Sequence, residues 1–336
     1  MTTSPPVDLR SDTITRPDDV MRAAMAAAEV ADDVLDHDPT MRRLEERVAD
    51  LLGLDAALWV PTASMGNVIA LCAHLERGDE FLAPAGAHVL SDELGAPAWL
   101  AGGMPHPLPT PITEDAVRAA AGGTRPYFDL RTTLLCLENT HNASGGTVTA
   151  PDRHARLVAA ARAAGLRVHL DGARLWNASV RLDVPPAALT VGVDTAQVCL
   201  SKGLGAPVGS VVAGTTEFVT RARRLRKMLG GGVRQGGVLA AAGIVALQRI
   251  PDLAVDHENA RLLADGLVER GWRVTPPETN IVRAEVPDAA ATLESLARAG
   301  VLASPSGTGI RFVTHRDVST VDIRTVLERI GATVAT

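Results

Sequence analysis

The sequence has few aromatic residues and very few lysines. Only 3% of its 336 residues are Phe, Trp or Tyr, and the net charge of −6 leaves no basic surface, so nucleic-acid binding is not expected. Of 33 basic side chains only Lys202 and Lys227 are lysines, and the other 31 are arginines. Because arginine serves almost everywhere that a positive charge is needed, each lysine calls for a specific reason.

A cysteine pattern and a long apolar segment are also lacking. Cys72, Cys136 and Cys199 lie in apolar runs, are odd in number and show no CxxC spacing, so neither disulfides nor a metal site are expected. No window approaches an uncharged apolar span of about 18 residues, and the N-terminal segment MTTSPPVDLR does not resemble a signal peptide. These absences predict a cytoplasmic protein outside the membrane.

The composition is that of an ordinary globular protein, 46% hydrophobic and 21% charged. Because aromatic residues are scarce, we expect a core of aliphatic side chains. Apolar strand runs alternate with helical patterns, which predicts an α/β fold. We expect an N-terminal arm over residues 1–20, either a disordered tail or a strap, and a large domain over 21–250. A small domain over 251–336 follows, where the pattern changes to helix, strand, helix, strand.

Lys202 lies at the mouth of a buried strand. AQVCL and residues 208–213 are apolar runs of strand length, and the glycines and proline between them predict a tight connection. A desolvated lysine amine becomes a nucleophile, whereas guanidinium stays protonated, so Lys202 is a candidate Schiff-base lysine. The alternative is a stem packed on the strand with its head in water. Lys227, in the charged helical run RARRLRKM, is expected on a solvated helix face.

The strand LRVHLDGAR carries a carboxylate to the same edge. Strand side chains alternate, so His169 and Asp171 face one side, with Asp171 at the carboxyl end where ligands of α/β sheets bind. Lys202 follows after about the length of a β-α-β repeat. His169 is expected to be structural, hydrogen-bonded beneath a ligand.

Other loops add binding groups. Small residues that include Ala63 and Ser64 precede a helix and could approach a phosphate, although an ordinary N-cap is the alternative. Arg234 lies among glycines in GGGVRQGG and suits an anion. Strands also lead to His88 and to the polar segment ENTHN, which contains His141. A phosphate loop, a carboxylate, a selected lysine and an arginine together suit pyridoxal 5′-phosphate, which has a phosphate, an aldehyde and a basic ring nitrogen.

The chain resembles the L-threonine aldolases of low-specificity type, which are fold-type I pyridoxal-phosphate enzymes, over nearly its whole length. The segments that carry the resemblance are DLRSDTIT, DDVLDHDPT, PTASMGN, AHVLSDELGA, LENTHN, HLDGARLWNA, CLSKGLGAPVGS, RKMLGGGVRQGG, HENA, TN at 279–280 and IRFVTHRDV. It implies the fold-type I transferase-like architecture: a large domain with a mostly parallel central sheet and a small C-terminal α+β domain. It also implies a homo-oligomer, a dimer of dimers with shared active sites.

The resemblance implies a role for each matching residue. Lys202 would be the Schiff-base lysine and Asp171 the partner of the pyridine nitrogen, with His88 stacked on the ring. Phosphate would be held by Ala63, Ser64 and Arg234, the last from a neighbouring subunit. The substrate carboxylate would be bound by Ser11, Arg174 and Arg311, although both arginines could instead form surface salt bridges.

The implied reaction is the retro-aldol cleavage of L-threonine, L-allo-threonine and related β-hydroxy-α-amino acids to glycine and an aldehyde. His88 or His141 is the candidate base, and His141 could instead be an ordinary loop histidine. Another fold-type I reaction, such as β-elimination, racemisation or transamination, is the nearest alternative. A non-covalent phosphate-binding protein is disfavoured because GLGAPVG lacks GxGxxG spacing, and a non-catalytic interaction protein is a third reading.

The chain departs from the family at one loop. Leu35 stands where many members have tyrosine, and Asp36 and His37 stand where glycine and an acid are usual. Ala63 replaces a usual glycine, so its amide would approach a phosphate less closely. Loss of the phenol predicts that bulkier β-substituents are accepted, with His37 as an added polar group.

Overall fold

The computed structural model describes residues 5–122 and 126–333. The first four residues of the expected arm and the last three of the expected C-terminal domain therefore lie outside the described residues. Within them, short 3-10 turns occur at Asp12–Ile14, Pro186–Leu189 and Ile250–Asp252, and a π-helical turn occurs at Pro97–Ala101.

The strands are β1 (Val7–Asp8), β2 (Ala56–Val60), β3 (Glu80–Pro84), β4 (Met104–Leu108), β5 (Thr132–Glu138), β6 (Arg167–Gly172), β7 (Thr195–Cys199), β8 (Ser210–Gly214), β9 (Arg273–Thr275), β10 (Ile281–Glu285), β11 (Val301–Leu302), β12 (Ser304–Ser306) and β13 (Gly309–Val313). The helices are α1 (Asp19–Ala26), α2 (Pro39–Leu52), α3 (Ala63–His74), α4 (His88–Ser91), α5 (Glu114–Ala121), α6 (Pro151–Ala163), α7 (Leu175–Leu182), α8 (Thr216–Met228), α9 (Gly237–Leu247), α10 (Leu253–Glu269), α11 (Ala289–Arg298) and α12 (Thr320–Thr333).

Seven strands form the central sheet in the order β2-β8-β7-β6-β5-β3-β4. The five strands from β7 to β4 pair in parallel, whereas β8 runs antiparallel to both of its neighbours. Strands β3, β7 and β8 are buried along their whole length, as expected for continuous apolar runs covered on both faces. The predicted α/β fold with a mostly parallel sheet is confirmed, and β6 and β7 bring Asp171 and Lys202 to one edge.

Helices cover both faces of this sheet. One large cluster includes Met41 and Leu44 of α2 with Leu170 and Val198 of the sheet. On the opposite face, a second cluster includes Ile69 of α3 and helix α8. Apart from a few large rings the buried hydrophobic side chains are aliphatic, as the composition predicts.

A second, antiparallel sheet in the order β12-β13-β10-β9 packs with α10, α11 and α12. The N-terminal segment joins this part of the molecule, because β1 pairs in parallel with β11. Leu9 is fully buried in the hydrophobic cluster that this second sheet forms with its helices. The described part of the segment is thus a strap rather than a disordered tail. The 3-10 turn at Ile250–Asp252 coincides with the expected boundary between helices α9 and α10, and the division into domains stays a prediction.

Among the described residues, no individual helix combines the length and the apolar character needed to cross a membrane. By length and composition alone, one helix pair bent by 54°, Gly237–Leu247 with Ile250–Glu269, passes the same test.

Asp38 fixes the acidic loop that precedes α2. Its side chain is fully buried and accepts four backbone amides: those of Thr40 and Met41 in the first turn of α2, that of Ala31, and that of Gly237 at the start of α9. One carboxylate therefore begins a helix and joins two segments distant in sequence. A side chain at residue 237 would collide with this carboxylate, which explains the glycine there.

We expect Asp38→Ala to lower the free energy of unfolding by more than an ordinary cap removal, which costs about 1 kcal/mol, since several charge-assisted bonds are lost together. Thermal unfolding measures this. The matched control is Asp288→Ala at the start of α11, where the side chain accepts one amide within the described residues, that of Ala291. Equal losses in the two variants would contradict the prediction.

Candidate active site

Lys202 lies in the turn that follows β7. Its carbonyl oxygen accepts hydrogen bonds from Thr15 Oγ1 at 2.8 Å and from the Gly205 amide at 2.9 Å. Gly205 has φ +81 and lies against Arg316, so a side chain there would be strained and crowded. Lys202 is half-buried, whereas Lys227 is exposed on α8 as predicted. The structure thus places Lys202 at the strand mouth.

Asp171 is buried near the end of β6. One carboxylate oxygen accepts Nδ2 of Asn67 at 2.8 Å, and the other accepts the amide of Ala173 at 3.0 Å. His169 contacts the same Asn67 through its Nε2, 3.0 Å from Oδ1, so His169 and Asp171 face one side as predicted. Burial lowers the pKa of His169 to about 4, and both ring nitrogens have partners. His169 is therefore a neutral residue beneath the site.

His88 begins the short helix α4 rather than lying in a loop. Its Nδ1 is 3.1 Å from Glu93 Oε1, and this hydrogen bond raises the pKa of His88 despite partial burial. His88, Glu93 and Asp171 each offer an atom within 4.8 Å of the others. Such a cluster could hold a metal ion, but Asn67 already donates to both carboxylates.

Glu138, at the end of β5, lies in register beside Asp171. Its two oxygens accept the amides of His88 and Asn142, each at 2.8 Å. Burial, together with the neighbouring charge of Asp171, raises the pKa of Glu138 to about 7. This carboxyl joins the segment that carries His88 to the segment that carries Asn142.

Two arginines converge on Asn142. Nη1 of Arg174 and Nη1 of Arg311 both lie 3.0 Å from its Oδ1. Arg174 also forms a buried bidentate pair with Asp12, at 2.7 and 2.8 Å. Although burial favours the neutral acid, Arg174 holds the pKa of Asp12 well below its usual range, and the charge of Lys202 acts in the same direction. Ser11, beside Asp12, caps the adjacent 3-10 turn. The predicted pair of arginines is thus assembled close to Lys202 and is not a surface feature.

His141 has one occupied and one free ring nitrogen. Nδ1 lies 2.7 Å from Ser144 Oγ, while Nε2 is buried without a hydrogen-bond partner among the described residues. Burial lowers the pKa of His141, so the ring is neutral near pH 7. An unpartnered buried nitrogen is costly unless a ligand occupies it.

The first turn of α3 has free amides. Thr62 caps the helix and accepts the amide of Met65, whereas the amides of Ala63 and Ser64 make no hydrogen bond with any residue that the structure describes. Exposed amides at a helix start suit an anion. The glycine-rich segment approaches this turn, because Gly231 lies against Met65.

Arg234 and the divergent loop do not join this cluster through any contact within the described chain. The side chain of Arg234 is 59% exposed, and its nearest acid is Asp32 at 3.8 Å. Leu35 is 80% exposed. The ring of His37, expected as a polar group for the substrate, instead lies 3.0 Å from Glu45.

Sequence reasoning missed Asn67, Glu93, Asp12 and Asn280 as members of the site. Asn280 donates to Asp12 Oδ2 at 3.2 Å and, like Asn67, is almost fully buried. All four lie in segments that carry the family resemblance, namely PTASMGN, AHVLSDELGA, DLRSDTIT and TN at 279–280. That was the usable signal, but the sequence did not show that these four side chains contact other residues of the site.

Comparisons with known proteins show the family of this chain. The family described as Beta-eliminating lyase matches residues 8–289. The chain is 44% identical to the probable low-specificity L-threonine aldolase 2 of Arabidopsis thaliana, over 97% of this chain and 96% of that protein. It is 41% identical to the low specificity L-threonine aldolase of Escherichia coli K12, over 93% and 95%. A structure of Leishmania major threonine aldolase superposes with a TM-score of 0.85 at 20% identity, over 97% of this chain and all of that one.

We expect the purified protein to show an absorbance band at ~420 nm from a Schiff base between Lys202 and pyridoxal 5′-phosphate, and Lys202→Ala to abolish it. Lys202 is the candidate because it is a half-buried lysine at the sheet edge. Visible spectroscopy of both proteins measures this. Lys227→Ala removes the other, exposed lysine and should leave the band unchanged. A band that survives in Lys202→Ala would contradict the role of this amine.

Proposed function

The chain belongs to the Beta-eliminating lyase family, and from this premise we propose how its site binds a cofactor and cleaves a substrate. The enzyme is a lyase that cleaves L-threonine by a retro-aldol reaction to glycine and an aldehyde, with pyridoxal 5′-phosphate as cofactor. Its substrate is a small amino acid. We propose the roles of individual residues, the range of accepted β-substituents and the assembly.

The residues of the site fit the cofactor chemically. The free amides of Ala63 and Ser64 suit its phosphate, and the half-buried amine of Lys202 suits its aldehyde. Each oxygen of Asp171 accepts one hydrogen bond, which leaves capacity for a further donor, the ring nitrogen. The buried, unpartnered Nε2 of His141 and Nε of Arg311 are further groups that await a ligand. When bound, the cofactor supplies an electron sink for the pair released as Cα–Cβ breaks.

The observation that carries the proposal is the convergence of Arg174 and Arg311 on one oxygen of Asn142. A substrate carboxylate would replace the amide oxygen between the two guanidinium groups, because a carboxylate binds them more strongly. Asp12 keeps Arg174 oriented while it does so. A carboxylate held at two points fixes rotation about Cα, which selects the bond to Cβ for cleavage.

The chain must also remove the proton of the β-hydroxyl and return one to Cα. His88 and His141 are the candidate bases: His88 has its pKa raised by Glu93, and His141 is neutral with a free Nε2. We assign the base to His88, which has a carboxylate partner and lies close to Asp171, and a supporting polar contact to His141. Asp171 keeps the proton on the ring nitrogen of the cofactor.

A second copy of the chain would complete the phosphate site. Arg234 lies exposed on a glycine-rich segment next to the first turn of α3, and no contact within the described chain brings it to Ala63 or Ser64. A homo-oligomer, a dimer of dimers with shared sites, would let Arg234 serve a neighbouring phosphate. Three unpaired cysteines support a cytoplasmic location.

We expect Arg311→Ala to lower kcat/KM for L-threonine about 100-fold, mostly through KM, because one of the two charged contacts with the carboxylate is lost. Acetaldehyde formation measures this. Arg283→Ala is the matched control: Arg283 lies opposite Arg311 on the neighbouring strand, and its Nη1 donates to the carbonyl of Ala143. Equal effects in both variants, or ammonia and a keto acid as products, would contradict the assignment.

We expect phenylserine to be cleaved in addition to threonine, because the exposed Leu35 stands where many family members have a tyrosine and this chain lacks that phenol. Leu35→Tyr should then reduce turnover of phenylserine more than that of threonine. Steady-state kinetics on both substrates measures this, with Leu130→Tyr, another exposed leucine, as control. Turnover of threonine only by the unmodified enzyme would refute the prediction.

A further inference from the structure

Glu93 is a buried acid directly after the helix of His88. Its side chain is 1% exposed. Oε1 accepts Asn67 Nδ2 at 2.7 Å and lies 3.1 Å from His88 Nδ1, while Oε2 is buried with no partner among the described residues. A buried carboxyl with one orphaned oxygen costs stability, so its presence indicates a use. The only side chains that it contacts by hydrogen bonds in the described structure are Asn67 and His88.

The direction of the hydrogen bonds around Glu93 is fixed. Asp171 is a carboxylate acceptor, so the nitrogen of Asn67 must donate to it and to Glu93, and the oxygen of Asn67 must accept from His169 Nε2. His169 Nδ1 then accepts from Thr195 Oγ1 at 2.9 Å. Thr195 Oγ1 also lies 2.9 Å from His74 Nε2. Burial lowers the pKa of His169 to about 4 and that of His74 to about 3, so both rings of this hydrogen-bond chain are neutral.

This polarity determines the tautomer of His88. Oε1 of Glu93 accepts an N–H from Asn67 at 2.7 Å. An ionised carboxylate has no hydrogen to donate, so with Glu93 ionised the hydrogen between Oε1 and His88 Nδ1 lies on the imidazole. In the neutral ring, the lone pair is then on Nε2, which makes no hydrogen bond with any residue in the described ranges. The backbone amide of His88 is fixed separately by Glu138.

We propose that Glu93 is a positioning residue for the cleavage reaction: it holds the His88 ring with Nδ1 protonated, so that Nε2 is free to take the β-hydroxyl proton of the substrate. The proposal rests on the proposed function, in which His88 is the base. In chemical terms, Glu93 and His88 form a carboxylate–imidazole pair, and the proton taken by Nε2 leaves the ring positively charged beside a carboxylate that stabilises it.

The electrostatic surroundings of His88 agree with this role. The Glu93 hydrogen bond is the largest influence and raises the pKa of His88, partial burial lowers it, Asp171 raises it and Lys202 lowers it. Glu138 faces the backbone amide from β5. Removal of the Glu93 charge should therefore make His88 a weaker base and leave the fold of the sheet unchanged.

The test is Glu93→Gln, which keeps an oxygen for both donors and removes only the charge. Deuterium exchange at the imidazole C2, measured by mass spectrometry on the protein without cofactor, reports the titration of His88 site by site. We expect its midpoint to fall by about one pH unit. The acid limb of the kcat/KM profile should move to lower pH with it, and kcat should fall about tenfold.

The chain offers a matched control. Glu80 Oε2 lies 3.1 Å from His106 Nδ1, in the same geometry, but Glu80 begins β3 and so lies at the opposite end of that strand from the segment of His88. Glu80→Gln should leave both the exchange of His88 and the acid limb unchanged. If Glu93→Gln fails to fold, Glu93→Asp replaces it in the test. This variant keeps the charge but withdraws it by one methylene, so its exchange midpoint should lie between those expected for the unmodified protein and for Glu93→Gln.

His88→Asn separates failure of this proposal from failure of the proposed function. If His88→Asn cleaves threonine at the rate of the unmodified enzyme, His88 is not the base, and both assignments are overturned. If His88→Asn is impaired while Glu93→Gln leaves the exchange midpoint and the acid limb in place, Glu93 is only a structural residue and the proposed function stands.

Discussion

A buried ion pair between Asp12 and Arg174 connects the three segments from which the site is made. Asp12 comes from the N-terminal strap, Arg174 from the end of β6, and Asn280, which donates to Asp12, from the small sheet. Removing either charge would leave the other buried and unpaired, which is far more costly than losing an exposed salt bridge. The strap must therefore stay in place for Arg174 to keep one guanidinium nitrogen free for Asn142.

The sheet edge behind this pair concentrates negative charge. Asp171, Glu138 and Glu93 are all buried, and N–H donors of the protein stabilise them in place of water. Their mutual repulsion shows in the raised pKa values of Glu138 and Glu93, for both of which burial is the largest cause and Asp171 adds to it. A cation between them would relieve this repulsion. The edge therefore suits a positively charged ligand, which in the proposed function is the ring nitrogen of the cofactor beside Asp171.

The sequence predicts features that follow from local patterns, and it does not predict contacts between residues that are distant in the sequence. Apolar runs predict the other strands of the central sheet but not β4, whose sequence MPHPL has two prolines and is largely exposed. The alternation along β6 predicts the position of Asp171. Asn67 and Glu93 escape such reasoning because their partners are set by the packing of α3 and α4 on the sheet. Arg226 illustrates the same limit: it belongs to a charged helical run, yet it is buried against Asp33 and the carbonyl of Trp59. Only the three-dimensional approach of the acidic loop decides that.

The near absence of lysine has a chemical consequence of its own. An aldehyde reacts with any accessible unprotonated amine, so each further lysine would be a competitor for the cofactor. Arginine supplies the ion pairs of this chain without that reactivity, as Arg174, Arg226 and Arg316 show in their contacts with acids. Lys227 is the one other lysine side chain, and it is exposed on α8, away from the edge of the sheet that carries Lys202. Selectivity for Lys202 therefore depends on composition as well as on the position of the turn after β7.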